Sequence, residues 1–438
     1  MDSSTLELIS RKLIKPSNKP PPIYKLSILD QVIHGDIYNR IVFFYPNENK
    51  SYISTTLLEN SLSKVLTSYY PLAGRLVDNL NIDCYEVGAT LIEARANCKL
   101  SQISIHPNVK DQDVILPRGM SCRPKPDESL LVAQLTYFDC GGTTLSLCMS
   151  HKLSDGLSLV NFARDWALIT EQGGDHKSAL TTPQLNAASI LPPIEDTSFK
   201  NEIGLFPEGT NCVTKRYIFS STKLSQLKIK ASVETGIKNP TRVEVVTALL
   251  NKCAIAATSL VHANSCKPPV IMQAVNIRSL IDPPFSPNSV GNFVSSFSIP
   301  FPDGKDLSFA RLFRKSREAK LQFRERYNGI PADKLRQEFI NTVEFAKMIV
   351  DESRTNFDAY VCSSMCRFPL YDIDFGWGNP ETVSFAATQN KNFFLLIDER
   401  NGDGIEAFVT LEEEVMTAFE RDPELLQFVS FGPTIARL

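Results

Sequence analysis

Five histidines in 438 residues leave few candidates for a side chain that takes up a proton near neutral pH. Imidazole, with an ordinary pKa of about 6.5, is the side chain suited to that task. His151 stands apart from the other four. It follows the alternating segment Thr143 to Met149 directly and precedes a glycine-bearing turn, a place that suits a buried, oriented ring. His34, His106 and His262 sit in polar or loop contexts, and His176 lies in a Gly-, Pro- and Thr-rich stretch. In Ser150-His151-Lys152-Leu153-Ser154-Asp155-Gly156 a carboxylate follows the imidazole four residues on. Chance alone gives such a pair in roughly one chain in four of this histidine content, so two readings stand at this point. One is a general base with a nearby carboxylate, and the other is a satisfied core histidine with Asp155 capping the next helix.

A second string, Asp374-Phe375-Gly376-Trp377-Gly378, contains one of the chain's two tryptophans and is too specific to be coincidence. Nucleophilic catalysis by Ser150 or Cys148 beside His151 is disfavoured. No G-x-S-x-G elbow is present, and a neighbour of His151 on a strand points to the opposite face. Ten cysteines are scattered through the chain, and the one close pair, Cys362 and Cys366, matches no zinc or redox spacing, so no metal is expected. The segment Leu307 to Arg324 carries Arg311, Arg314, Lys315, Arg317, Lys320 and Arg324. A solvated basic face with local acidic partners is the expected reading, ahead of a phosphate site, and no Walker or Rossmann loop occurs.

The elements that must position these residues are legible by period. Ile41 to Tyr45 reads as a strand ended by Pro46 and Asn47 to Asn49. Leu58, Leu62, Val65 and Leu66 share one face of a helix over about 56–68, stopped by Pro71. Leu131 to Phe138 and Thr143 to Met149 alternate around Asp139-Cys140-Gly141-Gly142, whose glycines supply the positive dihedrals of a tight hairpin. Past Gly156, Leu159, Phe162, Trp166 and Ile169 recur at helical spacing. From Glu171 to Asn211 no period is sustained, which predicts a crossing linker, placed over 186–213. Beyond it come a strand near Lys215 to Phe219, a helix opened by a Thr241/Glu244 capping box, and strands at Val270 to Asn276, Phe393 to Ile397 and Ile405 to Thr410. A mixed α/β (α+β) chain of two lobes, residues 1–185 and 214–438, is the expectation.

A formal net charge of -3 gives no global attraction to polyanions, so nucleic acid is not an expected partner. Nowhere do about 18 apolar residues run uninterrupted, so no membrane span is expected. The opening Asp2, Ser3 and Ser4, with Lys12 and Lys15 and no following apolar stretch, predict neither a secretory signal nor a transit peptide. Reduced thiols and a cytoplasmic location follow as expectations.

The joint pattern His-x-x-x-Asp-Gly in mid-chain and Asp-Phe-Gly-Trp-Gly near the C-terminus resembles the plant BAHD acyltransferases, which use acyl-coenzyme A donors. Leu26-Ser27-Ile28-Leu29-Asp30-Gln31, Tyr70-Pro71-Leu72-Ala73-Gly74-Arg75, Asn276-Ile277-Arg278 and Gly291-Asn292 match further signatures in order, so the resemblance covers essentially the whole chain. It implies two similar chloramphenicol-acetyltransferase-like lobes with a tunnel between them, and His151 as the catalytic base for direct attack of a hydroxyl on the thioester. It further implies that Asp155 turns away to pair with Arg278, and that Asp374, Gly376, Trp377 and Gly378 support the site structurally, with an indole N–H for the oxyanion as the other reading of Trp377. Acyl-coenzyme A would be a co-substrate, no tightly bound cofactor is implied, and the enzyme would act as a monomer on a small hydroxylated acceptor. Malonyl-specific members commonly show Tyr-Phe-Gly-Asn-Cys where this chain has Ser289-Val290-Gly291-Asn292-Phe293, which favours acetyl. The sequence looks most like the clade that acetylates alkaloid hydroxyls. Acylation of a sugar or another alcohol, or an inactive binding relative, is the alternative.

Overall fold

The computed structural model describes residues 6–33, 37–46, 54–85, 87–103, 115–117, 129–173, 182–195, 211–263, 267–302, 307–341, 357–386 and 390–431. His34, His106, His176 and Asn47 to Asn49 lie outside them. The first lobe is a six-stranded sheet in the order Leu6–Ile14, Ala89–Ala96, Leu131–Phe138, Thr143–Ser150, Tyr38–Tyr45, Thr382–Phe385. Its central hairpin forms where the alternation predicts, with Leu131 opposite Met149 and Tyr137 opposite Thr143. Of the two turn glycines only Gly141 uses a left-handed conformation, at φ 86°. Gly142 is needed for closeness instead, since a Cβ there would stand 2.9 Å from the Leu100 side chain. The helices Thr55–Ser68 and Gly156–Glu171 cover one sheet face, and Leu62, Leu66, Phe162 and Trp166 are buried there against Leu145, Leu147 and Met149.

The second lobe is a seven-stranded sheet in the order Val294–Pro300, Pro269–Asn276, Asp358–Ser364, Phe393–Asp398, Ile405–Glu412, Cys212–Phe219, Ser430–Phe431. The helices Ser221–Thr235, Arg242–Val261 and Phe309–Tyr327 pack with it. Thr241 and Glu244 form the predicted capping box, Thr241 Oγ1 accepting from the Glu244 N–H at 3.3 Å and a Glu244 carboxylate oxygen accepting from the Thr241 N–H at 2.9 Å. The helix Arg242–Val261 is long and apolar enough by composition to cross a membrane, yet most of it is buried within this lobe.

The chain does not keep to one side after the linker. Thr382–Phe385 pairs antiparallel with Tyr38–Tyr45, and Leu370, Ile373, Phe375 and Val383 are buried in the first lobe's core. Leu395, Ile397 and Phe408, from the second sheet, join that same core, while Phe394, Leu396, Ala407 and Val409 of the same strands are buried in a separate core of the second lobe.

Candidate active site

His151 stands at the end of the strand Thr143–Ser150, where its backbone N–H donates to the Ile37 carbonyl at 2.7 Å. The following turn is tightened by Ser154, whose hydroxyl donates to the Ser150 carbonyl at 2.9 Å, and by Asn39, which donates to the Ser154 carbonyl at 2.8 Å. The ring is partly exposed, and its Nδ1 lies 2.9 Å from Oδ1 of Asn292. Asn292 Nδ2 meanwhile donates to the His151 carbonyl at 2.7 Å and to Asp30 Oδ1 at 3.0 Å. Both side-chain hydrogens of Asn292 are thus committed, and its oxygen must be the atom facing the imidazole. Neutral His151 therefore carries its proton on Nδ1 and keeps a lone pair on Nε2, the state a general base requires.

Asp155 does not touch the imidazole in this way. Its oxygens accept from Arg278 at 2.6 and 3.0 Å, from the Ser158 N–H at 2.9 Å as the N-cap of Gly156–Glu171, and from the Phe293 N–H at 3.1 Å. Arg278 also donates to the Ser289 carbonyl and Ser158 hydroxyl, and its guanidinium lies 4.5 Å over the Phe293 ring. With Asp155 and Arg278 both almost completely buried, each charge is compensated by the other and by these bonds. The loop 289–293 is thereby fastened to the turn that follows His151, and the Asp155 N–H returns a bond to the Gly291 carbonyl at 3.2 Å. Gly291 sits at φ 138°, and a Cβ there would meet Asp30 Oδ1 at 3.3 Å, so glycine lets Asn292 reach both Asp30 and His151.

The model of the family described as "Transferase family" matches residues 4–426. The chain is 42% identical over 97% of its length to akuammiline synthase 1 of Alstonia scholaris, covering 98% of that protein. It is 37% identical over 97% of its length to deacetylvindoline O-acetyltransferase of Catharanthus roseus, again covering 98%. The crystal structure of vinorine synthase superposes with a TM-score of 0.81 at 29% identity, covering 97% of this chain and 99% of that one. The chain belongs to the BAHD acyltransferase family.

In this acyltransferase the Asp-Phe-Gly-Trp-Gly string lies far from His151. Asp374 Oδ1 accepts from the N–H groups of Gly376, Trp377 and Gly378 at 2.7, 2.9 and 2.9 Å, and both glycines adopt positive φ, at 89° and 94°. Trp377 packs edge-on to Tyr45 and stacks on Phe375, each with centroids 5.3 Å apart. Tyr45 is at the opposite end of its strand from Tyr38, which pairs with Ser150 beside His151. That separation is roughly 23 Å at about 3.3 Å per residue. Gly376 likewise meets Glu171, the far end of the helix that Asp155 begins, roughly 24 Å away at about 1.5 Å per residue. The string therefore builds the first lobe's core, at a distance from His151.

Cys148 is fully buried on the face away from the two helices, and burial pushes its thiol up to about 12, which leaves no thiolate near neutral pH. The Ser150 hydroxyl is buried and accepts from the Lys152 N–H at 3.3 Å. On the basic helix, Arg317 and Lys320 bind Glu244 at 3.0 and 3.1 Å, and Lys315 pairs with Glu318 at 3.0 Å. Arg314 donates to the carbonyls of Glu234 and Thr235, each at 3.2 Å. Arg314, Arg317 and Lys320 thus hold neighbouring helices, and Lys315 pairs within its own. Among the described residues no group of His, Cys, Asp and Glu is placed to hold a metal ion.

Sequence reasoning missed the roles of Asp30 and Asn292, although both lie in strings it singled out. Asp30 offered a local signal, a carboxylate directly after the apolar Ile28-Leu29. Its partner 262 residues away offered none.

Proposed function

We propose that the protein transfers an acetyl group from acetyl-coenzyme A to a hydroxyl of an alkaloid or related plant metabolite, with His151 as general base. The acceptor hydroxyl gives its proton to His151 Nε2 while its oxygen attacks the thioester carbonyl. The tetrahedral intermediate then expels the coenzyme A thiolate, which takes the proton from the imidazolium. The observation that carries this reading is the Asn292 amide, whose bonds leave the Nε2 lone pair available. No acyl-enzyme is required, in keeping with the buried Cys148 and Ser150.

The acceptor class is supported by relatives named for alkaloid chemistry, including a minovincinine 19-hydroxy-O-acetyltransferase at 37% identity. An N-malonyltransferase of Strychnos nux-vomica at 38% makes malonyl the second donor to try. Arg278, the cation beside Phe293, is spent on Asp155 and backbone carbonyls, which argues against its receiving a malonyl carboxylate. A monomer is proposed, in a reducing compartment such as the cytosol. The test is incubation with acetyl- or malonyl-coenzyme A and a panel of alkaloid, sugar and simple alcohols, with mass-spectrometric detection of esters. His151→Ala should fold and lose roughly 100- to 10,000-fold in turnover. Near-wild-type turnover in that variant would sink the mechanism, and preferential acylation of sugars would sink the acceptor class.

A further inference from the structure

We propose that Asp30 is a positioning residue for the base: by holding the backbone and side-chain N–H groups of Asn292, it fixes the amide so that His151 keeps its proton on Nδ1. The inference rests on His151 being the base. Asn292 offers two side-chain hydrogens and one oxygen. The hydrogens go to the His151 carbonyl and to Asp30 Oδ1, a carbonyl and a carboxylate that only accept. A flipped amide would set its oxygen against both acceptors and its NH2 against an Nδ1–H, losing these bonds inside a largely buried site. The carbonyl is common to every residue type. Asp30 is the half of the lock that a side-chain change can open.

Asp30 is built for the purpose. It is completely buried, and four donors converge on it. Oδ1 accepts from the Asn292 N–H at 2.9 Å and from Nδ2 at 3.0 Å, while Oδ2 accepts from the Ser27 N–H at 3.0 Å and hydroxyl at 2.6 Å. Burial pushes its carboxyl up, and the bonds from Ser27 and Asn292 draw it back. The cation that senses it is Lys152, next to the base in sequence. Lys152 Nζ is buried and donates to the carbonyls of Gln31 and Ile33 at 3.0 and 2.6 Å, closing the C-terminal end of the short helix Ile28–Gln31, and to Asn79. The helix bearing Asp30 is thus tied to the His151 turn twice, through Lys152 directly and through Asn292.

The test reads the tautomer itself. In the full chain labelled with 15N-histidine, the His151 signals are identified by their loss in His151→Ala, and the neutral ring is expected to be protonated on Nδ1 alone. In Asp30→Leu, whose side chain accepts nothing from the Asn292 amide, the proton should distribute over both nitrogens, with kcat and kcat/KM falling together by ~10- to 100-fold. Asn292→Ala cuts the same link while leaving Asp30 its bonds to Ser27 and to the N–H of residue 292, and should show the same redistribution if Asp30→Leu does not fold. Ser27→Ala removes the hydroxyl bond at Oδ2 and should lower stability without moving the proton. Wild-type His151 protonated on Nε2, or folded variants that keep the Nδ1 proton, would overturn the role of Asp30 while leaving the base in place. Retained turnover in His151→Ala would overturn both.

Discussion

Asp155 lies four positions after His151, yet their side chains serve different partners, the ring held by Asn292 and the carboxylate by Arg278. Removing either member of the buried ion pair leaves the other uncompensated, so Asp155→Ala and Arg278→Ala should each cost about 3–5 kcal/mol and lower activity as the His151 turn loosens. The double change should cost less than the sum. A double-mutant cycle from urea denaturation checks this, and strict additivity would mean the two charges are not coupled. Lys152 gives a pH-dependent counterpart. Burial pushes its ammonium down to about 8 from 10.5, with the Asp30 carboxylate drawing it partly back up. Between those values the unfolded chain binds more protons than the folded one, so this group's contribution to stability rises with pH across the window and falls as pH drops through the folded value. The stability of wild type relative to Lys152→Met should therefore improve by about 2 kcal/mol from about pH 7.5 to about pH 10. A flat difference would mean that Lys152 titrates as an ordinary lysine. At this scale the family resemblance pointed to His151, Asp155 and Arg278, which spacing alone left open. Asn292 and Asp30 escaped because their meaning lies in a contact between distant segments.

Two elements deliver the base: a hairpin that ends at it and a helix that starts just after it. Both were legible, since alternation over Leu131–Phe138 and Thr143–Ser150 and helical spacing after Gly156 are strong local signals. The edge strand Leu6–Ile14 was not read because it is largely exposed and lacks a buried face to impose a pattern. Ala89–Ala96 was not read either. It is buried throughout its first half, and its alternation is confined to the small residues around Glu93 and Arg95. The loop 289–293 is an element whose shape is its function, so Gly291→Ala should cost about 1–3 kcal/mol and reduce kcat by crowding Asp30. Unchanged kcat in a folded variant would show that the loop tolerates the shift. The opposite split is expected at the far end of the same helix. Trp377→Ala should lower stability by about 2–4 kcal/mol while kcat per folded molecule stays near wild type, as measured by thermal unfolding beside steady-state rates. A large loss of kcat in a stably folded Trp377→Ala protein would bring back the oxyanion reading.

Across the whole molecule, the lobes are joined by more than a linker. The Thr382–Phe385 strand completes the first sheet from the C-terminal half, Phe375 and Val383 fill its core, and Arg278 and Asn292 meet Asp155 and Asp30 across the site. Sequence patterning implied two lobes but not this exchange, because a four-residue strand carries too little period to be assigned to either sheet. The consequence is thermodynamic. If residues 1–195 are made alone, the Tyr38–Tyr45 edge loses its neighbour, apolar surface that Phe375 and Val383 cover is opened, and Asp155 lacks its cation. Such a fragment should aggregate or remain unfolded. The intact chain should then melt in one cooperative transition in scanning calorimetry, because neither lobe reaches its native environment without the other. Two resolved transitions, or a soluble fragment with native-like amide protection over Thr143–Ser150, would show that the first lobe folds independently. The geometry around His151 would in that case be set within one lobe and only completed by docking of the second.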